Sequence, residues 1–431
     1  MMTPPIIYNL FPTLVGPPER WVPHAERARA MGFTWIYVNP WHYPGFSGSL
    51  YAVKEPWRLH PTLVAPGQAE DDLGELARVV RHLRGMGLGA MMDLVLNHVA
   101  KDSPLVERHP GWFRRHPDGT PVSPSVVDPD DPRKVTVWGD LAEVDNAGAE
   151  DRERLWRYWE DLVRGALALG FNGFRCDAAY KVPAALWGRL VAAARAVEPG
   201  VVFAAETLGC AVPEVKALRD AGFDYLYNSS KWWDFRAPWC LQQHEEFRAI
   251  APSIAFPESH DTERLARESG GSQAVQRQRY AFAAAFSAGV QITIGYEYGF
   301  QRRLDVVRTR PADWEAPRFD LSGFLARVNA LKARHPLLAG EGVLRALPDP
   351  GEGVVLLARW SDEAGTRRGL ILVNPDPARA RSLRLPAEAR GRGLRLYRVC
   401  RDEAPAPGEA IAAGDLDLDP AEVTLVMEPL P

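Results

Sequence analysis

Residues 171–206 read FNGFRCDAAYKVPAALWGRLVAAARAVEPGVVFAAE, and their alternation decides the fold. A short run ending in charge, Phe171 to Asp177, gives way to a block of helical period and then to a second apolar run, Val201 to Glu206. Strand, helix and strand in that order make a parallel βαβ unit. Working outward, comparable strand candidates are IIYNLF (Ile6 to Phe11), TWIYVN (Thr34 to Asn39), GAMMDLV (Gly89 to Val95), FDYLYN (Phe223 to Asn228), SIAFPE (Ser253 to Glu258) and VQITIG (Val290 to Gly295). With the first two they make eight. Helical blocks lie between them, among them EDDLGELARVVRHLRGMG, where Leu73, Leu76, Val79, Val80 and Leu83 recur at three- and four-residue steps. Gly85 and Gly87 offer left-handed termination of that helix. Eight such units predict an α/β fold, a (β/α)8 TIM barrel rather than an open doubly wound sheet.

The connection after Asn97 is too long for a plain loop and is rich in Pro, Asp and His, so residues 98–148 are expected to form an excursion domain. The barrel then comprises residues 1–97 and 149–339. After DLSGFLARVNALKARHP the pattern changes to short alternating runs, GVVLLARW, RGLILVNP, RSLRLP, GLRLYRV and EVTLVME, which predict a C-terminal antiparallel β-sandwich over residues 340–431. PAPGEA near Pro405 reads as loop.

Composition narrows the function classes. The 431 residues are 46% hydrophobic and 25% charged, as in an ordinary globular chain, and the net charge of -4 gives no long-range attraction for nucleic acid or anionic membrane. No stretch approaches the ~20 apolar residues of a membrane span, and MMTPPIIYNLFP lacks the pattern of a signal peptide. Cys176, Cys210, Cys240 and Cys400 show no CxxC spacing, which argues against zinc or a disulfide framework and for the cytoplasm. The 14 tryptophans either pack the core or line a sugar groove, where an indole lies against the apolar face of a pyranose.

In a parallel barrel the C-terminal strand ends converge on one mouth. Here they carry Asp93 with Asn97 and His98 beyond it, Arg175 and Asp177, Glu206, and Glu258, His260 and Asp261. Each alone reads as a solvated turn residue; together on one rim they suggest a site. Acetal hydrolysis with retention needs one carboxylate to attack and one carboxylic acid to protonate the leaving oxygen. Asp177 and Glu206 on adjacent strands suit that division. Arg175, two residues before Asp177, shares its face and is expected to hold it ionised. Glu206 emerges from an apolar run, and desolvation is expected to favour its protonated form.

DLVLNH (Asp93 to His98), GFRCD (Gly173 to Asp177), AAET (Ala204 to Thr207) and ESHD (Glu258 to Asp261) resemble, in order and spacing, the four conserved segments of the α-amylase family of glycoside hydrolases and transglycosidases. The resemblance implies Asp177 as nucleophile, Glu206 as acid/base and Asp261 as the third carboxylate, with Asp93, His98, Arg175 and His260 around the reacting glucose. It also implies an α-glucan or oligosaccharide substrate and a covalent glycosyl-enzyme intermediate. Family members often carry a histidine four residues after the nucleophile, where this chain has Lys181. An aromatic face for the sugar is expected from Tyr51 or Trp57, and Trp232 and Trp233 in NSSKWWDF are either sugar platforms or packing beneath the rim. Calcium-dependent members use residues matching Asn97 and Asp140; two oxygen ligands fall short of the usual six to eight, so no metal or other cofactor is expected and Asn97 reads as a hydrogen-bonding strut.

AKDSPLVERHPGWF, FRCDAAYKVP and RTRPADWE (Arg308 to Glu315) are similar to segments of the bacterial maltosyltransferases that extend α-1,4-glucan from maltose 1-phosphate. Those enzymes usually carry further N-terminal domains, whereas here the first strand candidate starts at Ile6. A phosphate donor needs cations near the leaving group, for which Lys181, Lys231 and Arg264 are candidates. The expected activity is therefore glycosidase or transglycosidase, with maltosyl transfer from maltose 1-phosphate as the alternative and a catalytically silent sugar-binding module as a further one. Linkage preference and oligomeric state are open at this level.

Overall fold

The structure, a computed structural model, describes residues 4–127, 133–348, 353–385, 393–402, 408–411 and 415–429. Eight strands close into a parallel barrel: Ile6–Leu10, Trp35–Val38, Gly89–Leu94, Gly173–Cys176, Val202–Glu206, Tyr225–Tyr227, Ser253–Ala255 and Gly289–Thr293. Each neighbours the next in sequence, and the last pairs with the first. All eight expected strands are present, with ends within three residues of the predicted ones.

Side chains alternate between two environments along every strand, because the strand period is two. Phe174, Cys176, Phe203, Ala205, Val290 and Ile292 point outward and join the main core with the surrounding helices. Ile7, Tyr37, Met91, Val202, Ala204, Tyr225 and Ile254 fill the barrel itself. Trp35 plugs the lower end: a Cβ on Gly173 would come within 2.6 Å of its ring. Following the inward face upward, Met91 leads to Asp93, Ala204 to Glu206, and Gly173 to Arg175 and Asp177. The barrel is apolar below and charged at its mouth.

The helix Gly74–Gly85 buries Leu76, Val79, Val80 and Leu83, each contributing about 1.5–3 kcal/mol relative to exposure. It starts later than its acidic residues suggest, and the left-handed exit belongs to Gly87 alone. The helix Arg152–Leu169 opens on the Asp151 side chain, which accepts from Arg154 N, and closes on left-handed Gly170.

Between residues 97 and 149 the chain forms two antiparallel pairs, His98–Ala100 with Leu141–Glu143 and Ser125–Val127 with Val135–Val137. A further hairpin, His42–Pro44 with Val53–Leu59, follows the second barrel strand and was not expected. After the barrel, a six-stranded sheet carries apolar residues on both faces. Leu357, Ile371, Val373, Val423 and Leu425 join the main core, while Leu356, Leu370 and Leu372 pack on Leu383, Leu416 and Leu418 of a two-stranded sheet. The expected sandwich is thus formed, with one sheet shared between two cores. Its missed strands are short: Val343–Ala346 and Asp415–Leu418 are half exposed and Glu409–Ala410 is exposed throughout. Glu409–Ala410 falls in the stretch read as loop, while Pro405 lies outside the described residues.

The seam between barrel and sheet contains two buried cations. Lys332 Nζ donates to the carbonyls of Ala284, Ser287 and Leu338 at 2.7–2.9 Å, and Arg359 donates to those of Phe286, Leu337 and Gly340 at 2.7–2.9 Å. These carbonyls end the helices Gln273–Phe286 and Pro336–Ala339. A helix leaves its last carbonyls unpaired and its C-terminus partially negative, so a cation there satisfies both. No helix among the described residues is long and apolar enough to cross a membrane.

Candidate active site

The Asp93 to Glu206 cluster is set by register. Arg175 lies opposite Asp93 on one neighbouring strand and opposite Ala204 on the other. Its guanidinium donates through Nη1 to Asp93 Oδ1 (2.7 Å) and Asp177 Oδ1 (2.9 Å), and Nη2 lies 2.7 Å from Glu206 Oε1. One cation thereby joins three carboxylates. Ala178, directly after Asp177, adopts φ 39°, ψ 47°, a left-handed conformation costly for a residue with a Cβ, and its N–H donates to Glu206 Oε2 at 2.8 Å. That turn holds both carboxylates at one elbow.

Behind them, Asp93 is fully buried and accepts from the hydroxyls of Tyr37 and Tyr51, the latter at 2.7 Å. Asn39 donates to both tyrosine oxygens and accepts from Asn9. Tyr51 stacks on His260 with ring centroids 5.6 Å apart and its hydroxyl lies 2.6 Å from His260 Nε2; Asp261 Oδ2 lies 2.9 Å from the same nitrogen. The chain of contacts runs from Asp261 through His260, Tyr51 and Asp93 to Arg175, and so to Asp177 and Glu206.

Electrostatics departs from the expectation for Asp177. Burial and the adjacent Glu206 charge push its carboxyl well above the ordinary range, and Arg175 does not offset them. The physical reason is the sharing just described: a guanidinium spread over three carboxylates does not offset the burial of Asp177 and the charge beside it. Burial works against ionisation of Asp261 too, yet His260, Arg175 and Arg303 hold it down to about 2. Burial lowers His98 to about 4, leaving a neutral ring whose Nε2 lies 3.1 Å from the Tyr51 carbonyl.

These groups open into a cavity of about 510 Å3. Of the predicted site residues, Tyr51, His98, Asp177, Lys181, Glu206 and Asp261 line it. Asp93, Arg175 and His260 lie beneath as buried supports. Trp232 is not brought to the cavity: its indole is half exposed and meets the edge of Phe256. Trp233 is core, packed with Phe235, Phe282 and Phe286. The ring of Trp57 lies over Gly165 on the outer helix, so of the two expected aromatic faces Tyr51 is the one at the cleft. Among the three expected cations, Arg264 is buried against Glu258 (2.8 Å) and Lys231 pairs with Glu268 (3.0 Å); Lys181 alone reaches the cavity.

Sequence reading missed Trp138, Tyr180 and Arg114 in the lining. Trp138 had a signal, since VTVW alternates and places Thr136 and Trp138 on one face while Val135 and Val137 point the other way. Asn97 works through its backbone, accepting from Val144 N at 3.0 Å, while its buried Oδ1 has no protein partner. Asn97 and Asp140 both line the cavity, but among the described residues no group of three or more acidic, histidine or cysteine side chains could hold a metal ion.

Comparison with known proteins agrees with this geometry. Residues 6–113 match the family described as the glucanotransferase domain of glycogen debranching enzyme. The α-1,4-glucan:maltose-1-phosphate maltosyltransferase of Burkholderia pseudomallei is 30% identical over 87% of this chain and 33% of its own length. The enzyme of that name from Myxococcus xanthus is 26% identical over 86% of this chain and 57% of its own. The chain thus spans a third to little more than half of these relatives. Among solved structures, the maltogenic α-amylase AmyB of Thermotoga neapolitana superposes with a TM-score of 0.70 at 21% identity, covering 99% of this chain and 97% of that one. The α-glucosyl transfer enzyme XgtA gives 0.76 at 17% identity over 99% and 100%. The chain therefore shares the fold of the α-amylases and resembles the α-1,4-glucan:maltose-1-phosphate maltosyltransferases over the greater part of its length.

Proposed function

We propose that the chain is a retaining enzyme acting on α-glucans or maltooligosaccharides. The observation that carries this reading is the bridge made by Arg175: two carboxylates bonded to one guanidinium fit the short spacing, about 5–5.5 Å, of retaining glycosidases. Glu206 donates its proton to the glycosidic oxygen as Asp177 attacks the anomeric carbon, breaking the bond to the leaving sugar and forming a glycosyl ester. Glu206 then takes a proton from water or from an acceptor hydroxyl, which displaces Asp177. Asp261, half exposed to the cavity and fully ionised at neutral pH, accepts hydrogen bonds from ring hydroxyls and balances the developing positive charge. The intact carboxylate set argues against a catalytically silent module. Four free cysteines support a reducing compartment, the cytoplasm.

A second reading, transfer from maltose 1-phosphate, is favoured by Lys181, whose ammonium reaches the cavity and among the described residues has Glu214 at 3.9 Å as its ionic partner. Phosphate release from maltose 1-phosphate in the presence of glycogen distinguishes transfer from hydrolysis of maltooligosaccharides. In either assay Asp177→Asn is expected to lower kcat on the order of 10^3-fold or more. Unchanged turnover would remove Asp177 from the nucleophile role.

A further inference from the structure

Asn9 and Asn39 are fully buried beneath the carboxylates and do not line the cavity, yet the backbone fixes the polarity of both amides. Asn9 lies opposite Tyr37 on the neighbouring strand, and its Nδ2 donates to the Tyr37 carbonyl at 3.2 Å, an oxygen that can only accept. The same nitrogen donates to Asn39 Oδ1 at 2.8 Å. Asn39 is thereby turned with its oxygen toward Asn9 and its amino group toward the site. There Nδ2 donates to the hydroxyl oxygens of Tyr37 at 3.2 Å and Tyr51 at 3.1 Å.

A hydroxyl oxygen that accepts on one side points its own hydrogen away from that side. Burial holds both phenols well above their usual value, so each keeps its hydrogen. Tyr37 donates to Asp93 Oδ2. Tyr51 has two further neighbours, Asp93 Oδ2 at 2.7 Å and His260 Nε2 at 2.6 Å. His260 Nε2 also faces the Asp261 carboxylate, 2.9 Å away, which has only lone pairs to offer; that nitrogen therefore carries a hydrogen, and Tyr51 donates to Asp93. Two phenol hydrogens converge on one oxygen of Asp93, and its other oxygen takes a single bond from Arg175 Nη1 at 2.7 Å. With Asp93 filled from behind, the guanidinium is left to reach Asp177 and Glu206 as well.

Resting on the glycosidase reading above, we propose that Asn39 is a positioning residue for that reaction: by presenting hydrogens rather than an oxygen to Tyr37 and Tyr51, it commits both phenol hydrogens to Asp93 and keeps Arg175 on the reacting pair of carboxylates. Asn39→Asp preserves shape and reverses this polarity once the new carboxyl ionises; Asn39→Leu removes the donors and adds no acceptor. The titratable groups facing the position are Tyr37 on its own strand, Tyr51 from the hairpin turn that follows and Asp93 on the neighbouring strand, with Arg175 and His260 beyond them. Proton NMR of the full chain reads the phenol hydrogens directly as downfield hydroxyl resonances, assigned by their loss in Tyr37→Phe and Tyr51→Phe. In Asn39→Asp both are expected at about pH 5 and lost at about pH 9, where a buried carboxyl has ionised. In Asn39→Leu both move upfield by the same amount at the two pH values, because the phenols lose a polarising donor. The kcat of Asn39→Asp relative to the wild type is expected to fall about tenfold or more between those two pH values, with KM for maltoheptaose changing less than about twofold. Asn9→Leu, which frees the Asn39 amide to turn its oxygen toward the phenols, weakens both resonances without adding a charge and serves if Asn39→Asp does not fold. Resonances that persist in Asn39→Asp at about pH 9, a pH-independent loss of kcat matching that of Asn39→Leu, or resonances unmoved in Asn9→Leu overturn the proposal. Because the resonances are read without turnover, a wild type inactive on α-glucans would sink the glycosidase reading separately.

Discussion

At the barrel mouth one guanidinium serves three carboxylates, whereas at the seam with the C-terminal sheet Lys332 and Arg359 each bond three carbonyls that no other cation uses. Both sites bury charge. At the seam, burial pulls Lys332 well below its usual value and Arg359 down to about 10, yet every ammonium hydrogen has an acceptor and neighbouring Glu341 accepts from Ser253 N and Ala288 N. At the mouth, burial and the neighbouring Glu206 carboxylate push Asp177 up, and the buried Nδ1 atoms of His98 and His260 have no protein partner. Matching donors to acceptors makes a structural joint; leaving them mismatched makes a site whose balance a ligand completes.

The strongest challenge to that contrast is Lys332→Met, which leaves three buried carbonyls unpaired at a helix end. It is expected to cost about 3 kcal/mol or more in urea unfolding without altering kcat of the folded fraction. A cost below about 1 kcal/mol would mean that the seam is no better matched than the mouth. Asp177→Asn tests the other side. A carboxyl raised by folding contributes stability below its ordinary range and loses it as pH climbs through the folded value, so the variant gains Tm over the wild type toward pH 8 and the gain closes in acid. A gain of about 1 kcal/mol is usual for relieving such a site, and a loss at pH 8 would contradict the mismatch. Asp261→Asn should have the smallest effect. Its depressed value gives stability that is present above the ordinary carboxylate range and lost as pH falls toward about 2. The group is half exposed, so screening limits the difference to about 0.5 kcal/mol, measurable as a urea-midpoint gap that narrows with acid.

Much of the mouth was legible before any coordinates. Strand alternation places Asp93, Arg175, Asp177 and Glu206 on inward faces at strand ends, and the closed barrel makes strand ends converge. What sequence does not carry is stoichiometry. Arg175 was assigned to Asp177 because the two are adjacent in sequence; register also brings it Asp93, and the next strand brings Glu206. Trp232 illustrates a second limit, since a helical turn after the sixth strand directs it outward despite its company of polar residues. The seam was invisible for a related reason: Lys332 lies in a helix of mixed pattern, and its partners are backbone carbonyls, which have no signature in sequence. The short strands Val343–Ala346 and Asp415–Leu418 escaped because each buries only two side chains.

The six-stranded sheet, apolar on both faces, bears on how this molecule can be altered over evolutionary time. A module with one greasy side can be lost or exchanged for another that covers the same patch. Here the sheet closes the barrel's core with one face and its own partner sheet with the other, so inheritance of the two parts is tied together. Recombination that replaces the last ninety or so residues must supply a surface cut for this barrel, including an arginine at the position of Arg359 to finish a helix belonging to the other half.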